Sequence, residues 1–277
     1  MNIGLLHPGA MGISLAASAR ESGHTVFWIP AGRSQASRER AESQSLSESG
    51  SLAELCATCE IVISVCPPHA ALDVAGDVSK QDFKGVFVDA NAISPQKARS
   101  IHEMMMDSNI DFVDGGIIGG PAWEARSTWL YLAGVRAVEV AQCFEKGLLE
   151  TNVMGEMIGQ ASAIKMSFAA YTKGTTALLC AIMAAAEEMG VREALEKQWS
   201  SNGSDFADRT QNRLRRVTAK AWRFSGEMEE IAATLEAAGL PGGFHTSSAE
   251  IYERLAGFKD AEVLPELDEV LKILRSR

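Results

Sequence analysis

The chain has 277 residues, more than one average domain, so one large or two medium domains are expected. Hydrophobic residues make up 46% and charged residues 22%, enough for a full core. A net charge of -10 argues against a nucleic-acid surface and leaves no polybasic patch for a membrane.

The opening stretch MNIGLLHPGAMG has no basic segment, and proline and glycines interrupt it too early for a signal peptide. No run of apolar residues reads as a membrane span, because the most apolar stretch carries Lys173, Glu187 and Glu188. The five cysteines form an odd set with a single C-x-x-C at Cys56 and Cys59. With no second pair to complete a zinc site, reduced thiols in a cytoplasmic protein are expected, and no metal.

In chain order, Asn2 to Leu6 reads as a short strand, followed by a glycine-containing turn and a helical pattern from Ala10 to Ser22. Thr25 to Ile29 is the next strand, and the polar stretch from Gly32 to Gly50 is read as loop plus helix. Ile61–Val65, Val86–Asp89, Phe112–Asp114 and Trp129–Ala133 continue the series, with helical patterns between most of them. Such alternation predicts a mainly parallel, doubly wound sheet. From Gly155 onward only helices are expected, broken at Gly190, Ser200 to Gly203, Gly239 to Gly243 and Pro265. The composition changes near Thr151, which predicts an α/β domain over residues 1–153 and an all-α domain over 154–277. A long Ala- and Met-rich helix from Gly155 to Met189 would join them.

Between the first strand and the first helix lies His7-Pro8-Gly9-Ala10-Met11-Gly12. Gly9 lets a pyrophosphate approach the backbone, and Gly12 lets the helix pack closely on its strand. The helix N-terminus then offers unpaired N–H groups to the phosphates. His7 occupies the place of the first glycine in G-x-G-x-x-G. The second strand ends in Trp28-Ile29-Pro30-Ala31-Gly32-Arg33-Ser34, with no acid to bind ribose hydroxyls. Arg33, helped by Ser34, suits a 2′-phosphate, so NADP(H) is expected over NAD(H); the bland alternative is a solvated loop arginine.

Lys165 has Ala161, Ser162, Phe168, Ala169 and Thr172 at helical spacing around it. By itself such a lysine reads either as a snorkelling side chain or as a proton-transfer group. The ordered motifs decide between these. Gly9-Ala10-Met11-Gly12 resembles the second half of the G-x-G-x-M-G turn of the β-hydroxyacid dehydrogenases. That family includes 6-phosphogluconate and 3-hydroxyisobutyrate dehydrogenases and is related to the imine reductases. Val88 to Pro95 is similar to their V-D-x-S-T-x-S-P, and Asp114 to Gly120 to their D-A-P-V-S-G-G. Gly159 to Ala169 is similar to G-x-x-x-x-x-K-x-x-N-N, which sets Lys165 on the catalytic lysine.

The resemblance implies an NADP-dependent oxidoreductase acting at a C–OH/C=O bond, with Lys165 as general acid and base. It places Cys66, Pro67 and Asn91 beside the cofactor, together with Gly9 to Gly12, Arg33 and Ser34. Ile118, Gly119, Gly120, Phe168, Ala169 and His245 become the substrate residues. Ile118 and Phe168 stand where the family has a serine and an asparagine, which implies a bulkier or less charged substrate. In the C-terminal part, Ala221 to Phe258 resembles a branch with a small helical domain of unknown function, and a homodimer is implied. An imine reductase-like enzyme and an inactive NADP(H)-binding protein are the alternatives.

Overall fold

The computed structural model describes residues 1–259 and 261–276. The chain divides into two compact units, Met1–Met166 and Ser167–Arg277. The boundary expected after residue 153 falls inside the last strand of the first unit.

The first unit holds strands β1 (Asn2–Leu5), β2 (Thr25–Trp28), β3 (Ser47–Glu48), β4 (Ile61–Ser64), β5 (Val86–Asp89), β6 (Asp111–Gly119), β7 (Thr128–Ala133) and β8 (Glu150–Gly155). Helices α1 (Ala10–Glu21), α2 (Gln35–Ser43), α3 (Leu52–Thr58), α4 (Ala71–Ser79), α5 (Pro95–Asp107) and α6 (Ala137–Gln142) connect them. The strands form one sheet in the order β3-β2-β1-β4-β5-β6-β7-β8. All neighbours are parallel except β6 and β7, which pair antiparallel.

Side chains alternate across this sheet, so each face has its own core. On one face Ile3, Leu5, Ile61, Ile63, Val86 and Val88 pack with Ile13, Leu15 and Ala19 of α1. On the other, Val62, Phe87 and Phe112 pack with Leu55, Val78, Ile101 and Met105. The strand order reverses between β1 and β4. In open α/β sheets such a reversal opens a crevice at the carboxyl ends of the two strands, where ligands bind.

Two strands were not expected from the sequence. β3 has only two residues, and β8 is an edge strand whose residues are half-buried or exposed, so neither carries an apolar signal. β6 also runs on to Gly119, beyond the expected end at Asp114.

The long helix begins later than Gly155, which closes β8 at a φ of 119°. Helix α7 (Gln160–Ala169) leads through a π-helical turn, Ala170–Gly174, into α8 (Thr175–Glu188). By length and composition alone this run of 29 residues could cross a membrane, but a core helix passes the same test and the run is no clear membrane span. Within the second unit, Ala177, Cys180 and Met183 of the same run are buried, as in the core helix of a helical bundle.

The second unit continues with α9 (Arg192–Trp199), α10 (Phe206–Ala237), α11 (Gly243–Arg254) and α12 (Leu267–Arg275). Leu214, Val217, Ala221, Phe224, Met228 and Ile231 line the buried side of α10 at three- and four-residue spacing.

Candidate active site

The turn after β1 is tight: the Gly9 N–H donates to the His7 carbonyl at 2.8 Å. Gly9 is the N-cap of α1 and supplies no side-chain cap, so the first amides of the helix are left for a ligand. A Cβ on Gly9 would meet nothing within 4 Å, whereas one on Gly12 would run into the His7 carbonyl oxygen. Gly9 thus keeps the approach open and Gly12 keeps α1 close to the strand end. Ala10 and Met11 form the first turn of α1 between them.

Around this turn stand three arginines. The Arg40 Nε donates to the Pro8 carbonyl at 3.0 Å and braces the turn against α2. Arg38 donates to the Pro30 carbonyl at 2.7 Å. Arg33 is half-buried, and its Nε has no hydrogen-bond partner among the described residues. Burial pulls its pKa below the usual guanidinium range. Ser34 caps α2, accepting the Ser37 N–H at 3.3 Å, and its hydroxyl lies 3.2 Å from the Ser37 hydroxyl.

At the end of β4, Ser64, Cys66, Asp89 and Asn91 form a knot. The Asn91 amide donates to Asp89 at 2.7 Å and to Ser64 Oγ at 3.1 Å, while its oxygen accepts the Cys66 N–H. Both amide protons are therefore used inside the protein. Asn91 fixes the loop of Cys66 and Pro67 at the switch point, and only its oxygen has capacity left for a cofactor. Burial pushes the Cys66 thiol up to about 11, so the neutral thiol lines the crevice.

On β6, Asp114, Gly116 and Ile118 share one side of the strand. The buried Asp114 carboxylate accepts the Gly159 N–H at 2.9 Å, the Ser162 N–H at 3.1 Å and the Ser162 hydroxyl at 2.5 Å. It so caps α7 from a neighbouring strand. One turn on stands Lys165, half-buried. Its Cβ lies 3.0 Å from where a Cβ on Gly116 would sit, so the missing side chain of Gly116 admits the root of the lysine. Ile118 is buried, and Gly119 and Gly120 are exposed at the strand end.

In the second unit, Phe168 is 46% exposed and Ala169 buried. The π-helical turn widens the backbone ladder, and side chains of α10 and α11 take up the carbonyls. Arg213 donates to the Thr172 carbonyl and Tyr252 to the Lys173 carbonyl at 2.7 Å. His245 is buried, its Nε2 3.5 Å from the Ala170 carbonyl, and burial lowers its pKa. Lys173 forms an ion pair with Glu227 and lies 4.3 Å from the centre of the Phe224 ring.

Residues 2–165 match the family described as the NAD binding domain of 6-phosphogluconate dehydrogenase. The chain belongs to this family. Residues 186–255 match a domain of unknown function, DUF1932. An uncharacterized protein of Methanothermus fervidus is 29% identical over 184 residues, 66% of this chain and 70% of that protein. The mitochondrial 3-hydroxyisobutyrate dehydrogenase of Drosophila melanogaster is 25% identical over 172 residues, 59% of this chain and 52% of that enzyme. A solved conserved protein of unknown function, structurally similar to 3-hydroxyacid dehydrogenases, shares 28% identity at a TM-score of 0.68, covering 93% of this chain and 97% of that one.

Membership of the 6-phosphogluconate dehydrogenase NAD-binding family makes the first unit a pyridine-nucleotide-binding domain. The glycine turn, the open helix N-terminus and the orphaned Arg33 nitrogen fit such a dinucleotide. Sequence reasoning quoted Asp114 within a motif without giving it a task, and it missed the brace from Arg40. It also gave Lys173 no partner, and the structure pairs it with Glu227.

Proposed function

We propose that this protein is an NADP-dependent oxidoreductase acting at a carbon that carries a hydroxyl or keto oxygen, with Lys165 as general acid and base. The observation that carries this reading is the placement of Lys165. It stands one turn beyond the Asp114 cap and is rooted against Gly116, in a chain belonging to a pyridine-nucleotide-binding family.

The nicotinamide, when bound, supplies or accepts the hydride. The turn of Gly9, Ala10, Met11 and Gly12 holds the pyrophosphate on the amides of α1, and Arg33 with Ser34 holds the 2′-phosphate. Asn91 keeps the Cys66–Pro67 loop in place beside the cofactor. In reduction the Lys165 ammonium gives its proton to the substrate oxygen; in oxidation the amine takes it back. Ile118, Gly119 and Gly120 make the substrate side of β6, and Phe168, Ala169 and His245 are the substrate candidates on the second unit. Ile118 and Phe168, apolar where the resembling dehydrogenases are polar, favour a bulky substrate of low charge.

The exposed side chains of Phe168, Tyr171, Leu178, Ile182 and Met189 recur at helical spacing along one run, which supports a homodimer formed over this helix. All five cysteines are unbridged, in keeping with a cytoplasmic location.

The test is Lys165→Ala, followed by NADPH binding and by turnover of ketones, hydroxy acids and cyclic imines. Unchanged binding with loss of turnover is expected. Retained turnover removes Lys165 from the reaction. Wild-type binding of NADPH without turnover of any compound would favour the inactive NADP(H)-binding protein, and turnover of imines alone the imine reductase.

A further inference from the structure

β1 and β2 run parallel as neighbours, so the residues beyond their carboxyl ends open onto the same edge of the sheet. His7 follows β1 and Arg33 follows β2. His7 takes the place that the dinucleotide fingerprint gives to glycine, so its imidazole adds a nitrogen-bearing ring where that pattern has none. The ring is half-buried, and its Nδ1 has no hydrogen-bond partner among the described residues. The same holds for the Arg33 Nε.

Buried polar atoms are mostly paired, and here two unpaired nitrogens lie at neighbouring strand ends, where one ligand can meet both. The two groups also act on each other. Burial, and then the Arg33 charge, hold His7 down to about 4. The other ionisable group that acts on Arg33 is the Cys66 thiol, and no carboxylate contributes to either displacement. Of the other two arginines around the turn, Arg40 is engaged by the Pro8 carbonyl and the Ser37 hydroxyl, and Arg38 by the Pro30 carbonyl. An anion is the missing partner. A phosphate monoester has enough oxygens to serve the guanidinium and the imidazole together, and its charge reverses what keeps the ring neutral.

We infer that His7 and Arg33 together form the seat of the cofactor's 2′-phosphate, and that the imidazole takes up a proton from solvent as the phosphate docks. This rests on the NADP reading above. His7 is then a specificity-determining residue: it adds to the phosphate a charge-assisted hydrogen bond that a ribose hydroxyl, offering only a neutral one, does not match. Binding of NADPH is coupled to protons and weakens as the pH rises and the bound imidazole loses its charge; binding of NADH is not.

The experiment is titration calorimetry of the full chain with NADPH and with NADH near pH 7, in two buffers of different ionisation enthalpy. Wild type, His7→Gln, His7→Gly and Arg33→Ala are compared. The glycine variant restores the fingerprint residue and guards against a misfolded glutamine variant. Protonation of the phosphate itself is common to all, so differences between proteins read His7. Wild type is expected to take up more protons per NADPH than either His7 variant, and both variants should bind NADPH about tenfold more weakly with NADH unchanged. Equal proton uptake and equal NADPH affinity in wild type and both His7 variants overturns the inference. If Arg33→Ala alone collapses the preference for NADPH, only the role of His7 falls. If wild type shows no preference for NADPH over NADH, the NADP reading falls with it.

Discussion

Asp114 and Ser162 are joined by a hydrogen bond of 2.5 Å that ties the middle of the sheet to the first turn of the helix bearing Lys165. The carboxylate also takes the backbone N–H groups of Gly159 and Ser162, which the helix leaves unsatisfied at this end. Its negative charge complements the positive end of the helix dipole. Burial pushes the Asp114 pKa up, and these donors pull it down. Asp114→Asn turns an amide NH₂ towards groups that are themselves donors. It should destabilise the protein by about 2–3 kcal/mol, and Ser162→Ala by about 1 kcal/mol, in denaturant titrations. Because the cap sets the position of Lys165, Asp114→Asn should lower kcat far more than it raises KM, with NADPH affinity retained. A variant that unfolds more readily yet keeps its kcat would make the contact structural alone.

Gly116 gives a sharper test of the same wall. An added Cβ would strike the Ala161 carbonyl oxygen and come within 3.0 Å of the Lys165 Cβ. Gly116→Ala must push α7 away from β6, costing about 1–3 kcal/mol and displacing the lysine. Gly120→Ala, where a Cβ meets nothing within 4 Å, is the control for stability. Thermal melts of the pair should show a loss in the first that the second lacks, and turnover of Gly116→Ala should fall below that of wild type. Equal melting temperatures would show that the helix gives way without strain.

Much of this arrangement was legible in the sequence. The strands β1, β2, β4 and β5 are short apolar runs bounded by turn residues, so their alternation with helices gave the doubly wound sheet. In the second unit α8, α9 and α10 end at the glycines and serine that break the pattern, whereas α11 ends at Arg254 without such a signal. Contacts between distant residues were not legible. Asp114 and Ser162 lie 48 positions apart, and Lys173 and Glu227 54 apart, and no spacing rule reaches so far. Asn91 shows the same limit: the resemblance placed it beside the cofactor, but only the fold reveals that its amide protons go to Asp89 and Ser64. The π-helical turn contains Thr172, Lys173 and Gly174 but no proline, and a lone glycine inside an otherwise continuous helical pattern does not by itself mark a break.

That turn also carries Lys173, whose ammonium pairs with Glu227. The Lys173 and Glu227 side chains are only 16% and 9% exposed. Removing one partner of a buried pair leaves the other charge poorly compensated, so Glu227→Ala should destabilise the protein by about 3 kcal/mol. The double change Lys173→Met with Glu227→Leu removes both charges while keeping volume, and should recover most of that loss. Urea titrations of the single and double variants check it. A double variant no more stable than Glu227→Ala would mean that the pair is needed for its own hydrogen bonds.

The neutral His7 leaves a signature in the protein without cofactor. In the folded chain its pKa is about 4, against an ordinary 6.5. Between these values the unfolded chain binds a proton that the folded chain refuses, so stability is full above pH 6.5 and falls as the pH drops towards 4. The loss is at most about 3 kcal/mol, and partial exposure of the ring makes it smaller. His7→Gln lacks this titration, so its stability should fall less steeply over the same window. His24 and His245, also lowered, act alike in both proteins and cancel in the difference. Denaturant titrations at half-unit steps of pH read the two slopes, and parallel slopes would show that His7 titrates normally. If the imidazole is charged in the complex, NADPH should stabilise wild type over His7→Gln by a margin that grows as the pH falls through the window, because the ligand then favours the protonated ring that the empty site disfavours.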